Sequence, residues 1–223
     1  MGSGTGALAA TVLDLASPSA VVGIDPSPAF VAHARAQLPA GRARFTVGDA
    51  QSLPFAEATF DACISGLVLN FLKRPEQGVA EMRRVARPGG TIAAYVWDYA
   101  GEMQLLRSFW EAVEAVGPVA SELGEGRRFP IANPDALGRA FTEAALEKVE
   151  TRPIDIPTVF RDFDDLWSPF LGGQGPGPAY VAALSDERRE ELRDQLRQSL
   201  PVGADGRISL IARAWAVRGR REA

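Results

Sequence analysis

Three observations predict an α/β domain built on a mostly parallel sheet. Strand-like and helix-like segments alternate through the first 100 residues, the order of βαβ units. The strand-like segments are short, apolar and β-branched, as expected for parallel strands buried on both faces. The helix-like segments open on caps and proline and close on glycine or proline.

Leu8 to Leu15 follows a glycine run and has helical spacing. Ala20-Val21-Val22-Gly23-Ile24 reads as the first strand. Pro28 to Leu38 is a helix with Ser27 as N-cap, and Ala43 to Val47 a second strand. Gly48 to Thr59 is a polar connection, and Phe60 to Leu69 a third strand. Pro75 to Ala86 is a helix with Val79, Met82, Val85 and Ala86 on its apolar face, stopped by Pro88-Gly89-Gly90. Thr91 to Trp97 is a fourth strand. The crossovers between parallel strands should be right-handed.

Beyond residue 99 the pattern changes. Glu102 to Val116 is an amphipathic helix, Gly117 to Pro130 a loop, and Asn133 to Leu146 a helix with Pro134 at its first position. Lys148 to Val159 alternates as a strand, Phe160 to Leu171 is rich in aromatic residues, and Gly172 to Pro178 reads as a turn or loop. Ser185 to Leu200 is a charged helix, and Arg207 to Val217 a last strand after the turn at Gly203 to Gly206. The 223 residues are read as one domain: a cofactor half over 1–98, substrate-side insertions within 99–175, and a C-terminal helix and strand over 176–223.

Composition narrows the chemistry. The net charge of −4 and pI of about 5.2 give no electrostatic footprint for nucleic acid. The basic run Arg218 to Arg221 reads as a solvated tail. With one cysteine, Cys63, no disulfide forms within the chain and a structural zinc site is not expected. Cys63 lies in an apolar run and reads as a small core residue, and the one histidine, His33, as a helix-surface residue. No apolar stretch approaches the roughly 20 residues of a membrane span. The cytoplasm is the expected compartment.

Five local patterns carry chemistry. Gly2-Ser3-Gly4-Thr5-Gly6 opens a helix; its glycines allow a tight turn and close approach to a ligand, beside free N–H groups at the helix start. Alone, the run also fits a glycine-rich start or a tag remnant. Asp25 ends the first strand, 23 residues after Gly2, where a carboxylate can accept from both hydroxyls of a ribose; a plain helix cap is the alternative. Gly48-Asp49-Ala50 follows the next strand and can meet an adenine through the Asp49 carboxylate and a backbone N–H. Leu53-Pro54-Phe55 with Phe60-Asp61, and Val85 to Gly90, complete the set.

In this order the patterns resemble the class I methyltransferases that use S-adenosylmethionine (SAM), most closely the ubiquinone and menaquinone biosynthesis branch. The resemblance is specific over residues 2 to 98 and looser beyond, although Arg207 to Gly219 resembles the family's final strand. It implies a Rossmann-like sandwich of seven strands with the last antiparallel. It implies that Gly2, Ser3, Gly4, Thr5 and Gly6 line the methionine part of the cofactor, and that Asp25, followed by Pro26, holds the ribose. Asp49, Ala50 and Gln51 would hold the adenine, and Ser65, Gly66 and Leu67 would face the cofactor's amino-acid end.

Two departures stand out. The family's motif begins with a strand and an acidic residue before the glycines, where this chain has only Met1. The central first strand is therefore expected to be missing, the natural protein to extend upstream, and residues 1–223 alone to leave a gap at the sheet centre, borrow a strand or reorder the sheet. Relatives often carry a histidine pair after the fourth family strand, where this chain has Leu69-Asn70-Phe71.

The implied reaction is in-line methyl transfer from SAM to a small-molecule acceptor, in which orientation supplies much of the catalysis. No general base stands out; Asn70, Asp98 and Tyr99 are the candidates, with loop packing or capping as the alternative for each. No metal is expected, because the acidic residues form no tight ligand spacing. Trp97, Phe109, Trp110, Phe163, Trp167 and Phe170 are either core or the wall of an apolar pocket. A homodimer is compatible with this reading. Two other readings stay open: a SAM-binding scaffold without activity, and an NAD(P)-binding oxidoreductase, although Gly2 to Gly6 is not GxGxxG and no hydride-transfer set is present.

Overall fold

The computed structural model describes residues 1–38, 41–117, 124–172 and 175–223. In chain order the elements are α1 (Ala7–Leu15), β1 (Val21–Asp25), α2 (Pro28–Gln37), β2 (Ala43–Val47), β3 (Phe60–Gly66), α3 (Pro75–Val85), β4 (Ala86–Trp97) and α4 (Gln104–Val116). There follow α5 (Glu125–Arg128), α6 (Pro134–Glu143), β5 (Leu146–Phe160), α7 (Phe163–Trp167), α8 (Pro176–Ala183), α9 (Asp186–Ser199) and β6 (Ile208–Arg221). The chain divides into two compact units, one of residues 1–96, 134–152 and 216–223, the other of residues 97–133 and 153–215.

The strands form two separate groups. β1 and β2 pair in parallel, Val21 opposite Ala43 through Asp25 opposite Val47. A four-stranded sheet has the order β3-β4-β6-β5. β3 and β4 are parallel, Ala62 opposite Thr91 through Gly66 opposite Tyr95. β5 and β6 run antiparallel: Arg218 bonds Glu150 at 2.9 Å and Arg213 bonds Asp155 at 2.6 Å, so five steps forward on β5 are five steps back on β6.

Between β1 and β3, which belong to separate sheets, no ladder forms among the described residues. A cavity of about 380 Å³ lies there, lined by both strands, by Leu8, Ala9 and Val12 of α1, and by Val85. Val22 and Ile64 are only half-buried and Ala62 is exposed.

Local chemistry explains most elements of the first unit. Ser27 caps α2, its Oγ accepting from the Phe30 N–H at 3.3 Å, with Pro28 at the first position. On α3, Val79, Met82 and Val85 fall on one face and are fully buried, each contributing about 1.5–3 kcal/mol. α1, α2 and β2 share a small core of Ala9, Val31, Ala34, Ala43 and Phe45. The second unit has its own core, with Phe109, Leu166, Phe170, Leu192 and Leu196 at its centre. No described helix is long and apolar enough to cross a membrane.

The structure corrects several expectations. β3 stops at Gly66 rather than Leu69, because Leu67 takes a left-handed φ of 57° and Leu69–Phe71 coils into a 3-10 turn. α3 ends at Val85, where Ala86 turns extended, before Pro88-Gly89-Gly90 is reached. The Arg87 to Gly90 segment is instead a bulge in β4: Phe60 faces Ala86 and Ala62 faces Thr91, so two steps on β3 span five on β4. α6 ends at Glu143, and Ala145, at φ 54°, redirects the chain into β5. The expected loop at Gly172 to Pro178 contains the start of α8; Gly173 and Gln174 lie outside the described residues. Of the expected loop Gly117 to Pro130, residues 118–123 lie outside the described residues, and 125–128 form α5.

The C-terminal arginines do not form a tail, although Arg218 and Arg220 are exposed. They belong to β6, and the Arg221 guanidinium is 15% exposed. It donates to the Arg84 and Ala86 carbonyls at 2.9 Å and pairs with Glu57. Cys63 is half-buried at the edge of the open slot, and burial raises its thiol pKa; His33 is an exposed residue of α2.

Candidate cofactor site

The glycine loop is tied to both flanking strands. The Met1 amine donates to the Ile64 carbonyl of β3 at 2.8 Å, and the Ser3 N–H to the Ile24 carbonyl of β1 at 2.9 Å. The Gly6 N–H turns back to the Ser3 carbonyl at 2.8 Å. Gly2, Gly4 and Gly6 have φ of 68°, 49° and 93°, a left-handed sequence that glycine adopts without strain. Gly6 then caps α1, which has no side-chain cap and no acid in its first turn, so that end keeps its unneutralised dipole.

The three glycines differ in what surrounds them. A Cβ on Gly2 would strike Val68, and one on Gly6 would press Ala34 and Leu38 at 3.3 Å. At Gly4 it would meet nothing within 4 Å. Thr5, beside it, is exposed.

Asp25, at the end of β1, is 7% exposed. Its Oδ2 accepts from the Gly4 N–H at 2.8 Å and its Oδ1 from the Ser27 N–H at 3.0 Å. A carboxylate has about four acceptor positions, so both oxygens keep one for a ligand. Pro26 is exposed beside it.

Asp49 lies after β2, in the turn that the Gly48 N–H ties to the Asp25 carbonyl at 3.1 Å. Its carboxylate is exposed except for one bond, from the Gln51 N–H at 2.8 Å. Ala50 is buried, and Gln51 bonds the Arg74 N–H and the Gln77 amide at 2.9 and 2.8 Å. The next turn is strapped from α3: Arg84 donates to the Phe55 and Leu53 carbonyls at 2.7 and 2.9 Å, while Glu81 accepts from the Leu53 N–H at 2.7 Å. The Arg84 guanidinium holds the Glu81 carboxyl below its ordinary pKa, against the opposing pull of burial.

At the end of β3, Ser65 is fully buried and its Oγ has no partner among the described residues. Gly66 packs against the Tyr95 hydroxyl, and the Leu67 N–H donates to the Tyr95 carbonyl at 2.8 Å. Among the described residues Asn70, 7% exposed, also has an unpartnered Nδ2, and Ser3 an unpartnered Oγ. Buried polar groups are rarely left unpaired, and these three come from the glycine loop, the end of β3 and the turn after it.

The remaining candidates lie in the second unit. Asp98 is 7% exposed, and its Oδ2 accepts from the Glu102 N–H at 3.0 Å in the turn leading to α4. The Tyr99 ring lies 5.3 Å from that of Phe129. Phe109, Phe163, Trp167 and Phe170 are buried in the second unit's core, Phe109 stacked on Phe170 at 4.2 Å. Among the described residues, no group of three potential metal ligands is present.

Residues 1–94 match the methyltransferase domain family. A demethylmenaquinone methyltransferase from Roseiflexus castenholzii is 29% identical over 170 residues, 70% of each chain. A biotin biosynthesis bifunctional protein from Cellvibrio japonicus is 35% identical over 116 residues, 51% of this chain and 22% of that one. This chain thus spans only about a fifth of the latter's length. A solved candidate methyltransferase of an antibiotic biosynthesis pathway from Anabaena variabilis superposes with a TM-score of 0.65, at 18% identity over 97% of this chain and 87% of that one; that likeness supports the Rossmann-like fold. Every candidate binding residue from Gly2 to Leu67 lies inside the matched stretch, whereas Asp98 and Tyr99 lie just past it.

Proposed function

We propose that this chain transfers the methyl group of SAM to a small-molecule acceptor, and that the first unit holds the cofactor. The observation that carries this is the glycine loop: it is hydrogen-bonded through Gly4 to Asp25 and opens at Gly4 onto free space. The unpartnered Ser3, Ser65 and Asn70 atoms suit a ligand with polar groups on several sides. SAM supplies a methyl group on a sulfonium, with a neutral thioether as leaving group. The loop N–H groups take the methionine part, and the free acceptor positions of Asp25 take the ribose hydroxyls. Asp49, Ala50 and Gln51 take the adenine, and Ser65, Gly66 and Leu67 border the amino-acid end.

Alignment rather than acid–base chemistry drives the transfer in this reading. Asn70, with a free amide N–H, orients acceptor or cofactor. Asp98, engaged at its turn, is the weaker candidate, as is Tyr99. The acceptor is a small molecule and not nucleic acid, the compartment is the cytoplasm, and homodimer assembly belongs to the same proposal. The test is incubation with methyl-labelled SAM and a metabolite extract. Label passing to a small molecule, and lost in Asp25→Ala, supports the reading; saturable SAM binding with no transfer to any acceptor contradicts it. That second outcome is the mark of a binding scaffold, a reading favoured by the open slot beside the loop.

A further inference from the structure

α3 carries two stripes of side chains. Val79, Met82 and Val85 form the buried apolar one. Gln77, Glu81 and Arg84 form the other, at the i, i+4, i+7 spacing of a single helix face. A polar stripe of this kind ordinarily faces water. Here all three residues are half-buried, and each bonds the segment from Gln51 to Phe55.

The grip is on the backbone of that segment. Gln77 Nε2 donates to the Gln51 carbonyl at 2.8 Å, and the Arg74 N–H at the start of α3 donates to Gln51 Oε1 at 2.9 Å. Glu81 Oε2 accepts from the Leu53 N–H at 2.7 Å and Arg84 Nη2 donates to the Leu53 carbonyl at 2.9 Å, so one ion pair holds both backbone groups of Leu53. Arg84 Nη1 reaches the Phe55 carbonyl at 2.7 Å, beyond Pro54, which has no N–H to offer. The pair is bidentate, with Arg84 Nε on Glu81 Oε1 at 2.6 Å and Nη2 on Oε2 at 2.7 Å, a geometry that fixes the guanidinium in one orientation.

The turn held in this way leaves one acceptor and one donor unused. The Gln51 N–H bonds Asp49 Oδ1, the Ser52 N–H bonds the Asp49 carbonyl at 3.2 Å, and the Leu53 N–H bonds Glu81. Among the described residues, Asp49 Oδ2 and the Ala50 N–H have no partner, although Ala50 is 6% exposed. A carboxylate acceptor next to an N–H donor matches adenine, whose amino group donates and whose N1 accepts. It opposes hypoxanthine, whose O6 accepts and whose N1–H donates. Resting on the cofactor reading above, we propose that Gln77, Glu81 and Arg84 are positioning residues that hold the Asp49–Ala50 turn in one orientation and so set the preference for an adenine cofactor over a hypoxanthine one. They act through the backbone of Gln51 to Phe55, as a supporting shell that fixes the geometry of contact groups.

The test is calorimetric titration of S-adenosylhomocysteine and S-inosylhomocysteine into the full chain and into Gln77→Met, Arg84→Lys and Val79→Ala, with a melting curve of each. The wild type should bind the adenosyl ligand about tenfold or more tightly than the inosyl one. Gln77→Met and Arg84→Lys should each cut that ratio by about threefold or more, through weaker adenosyl binding. Val79→Ala, which trims the buried stripe of the same helix, should lower Tm and leave the ratio unchanged. A wild-type ratio near one, an unchanged ratio in either polar-stripe variant, or an equal fall in Val79→Ala overturns the positioning role and leaves the cofactor site standing. No saturable binding of either ligand to the wild type overturns the cofactor reading and this inference with it.

Discussion

The Gly4 N–H donates to Asp25 Oδ2 at 2.8 Å, so the buried carboxylate that ends β1 also fixes the middle of the glycine loop. Because a Cβ on Gly4 meets nothing within 4 Å, whereas one on Gly2 would strike Val68, fold and binding separate at these two positions. Gly4→Ala should cost only the left-handed penalty of about 1–2 kcal/mol, yet fill space that the cofactor needs and weaken SAM binding by about tenfold or more. Gly2→Ala should lower Tm further. Paired melting and calorimetry check this; unchanged SAM affinity in Gly4→Ala contradicts it.

Asp49 offers an exposed carboxylate with one internal bond, from Gln51. Asp49→Ala should weaken SAM binding by about 0.5–1.5 kcal/mol, the usual net value of one hydrogen bond, and leave Tm nearly unchanged. Calorimetry on the variant measures it; a larger loss than that of Asp25→Ala would reverse the order of the two roles.

Stability should depend on pH on both sides of a plateau. Burial depresses the Met1 amine below its ordinary value of about 8.0 and, with partial relief from Met1, raises Cys63 above its ordinary value of about 9.0. Below about 8.0 the unfolded chain binds the amine proton more readily, so stability rises as pH climbs from the depressed folded value to 8.0. Above 9.0 the folded thiol keeps its proton longer, so stability falls as pH rises toward the elevated folded value. Urea midpoints across pH measure both limbs. N-terminal acetylation should flatten the first and Cys63→Ala the second.

Arg221 closes the end of α3 by donating to the Arg84 and Ala86 carbonyls, with its guanidinium mostly buried. Arg221→Met keeps the stem and removes these bonds, and should destabilise by about 1.5–3 kcal/mol, a fall of about 4–10 °C in Tm. Glu57→Gln, at an exposed partner, should change Tm far less. A melting curve of Arg221→Met matching wild type would show these bonds to be dispensable.

Where a local rule fixed the outcome, the sequence was a good guide. Ser27 before Pro28 marked a capped helix, and the spacing of Val79, Met82 and Val85 marked its buried face. The apolar run before Asp25 marked a strand, and β1 does end at Asp25. What was missed depends on distant partners or unusual backbone. Nothing in Leu67 announces a φ of 57°, so β3 was drawn too long. Proline at the first turn of α8 was read as loop because it sits among glycines. Arg221 looked solvated because its carbonyl partners lie more than 130 residues away in the chain.

SAM binding at the glycine loop and Asp25 is best tested by calorimetric titration of SAM into the wild-type chain and Asp25→Ala side by side. The prediction is saturable one-site binding to wild type, weakened in the variant by about 1.5–3 kcal/mol, the value of hydrogen bonds to a charged group, or about 10- to 150-fold in Kd. Equal affinity in the two proteins would contradict the assignment of Asp25, and no saturable binding to wild type would contradict the site itself.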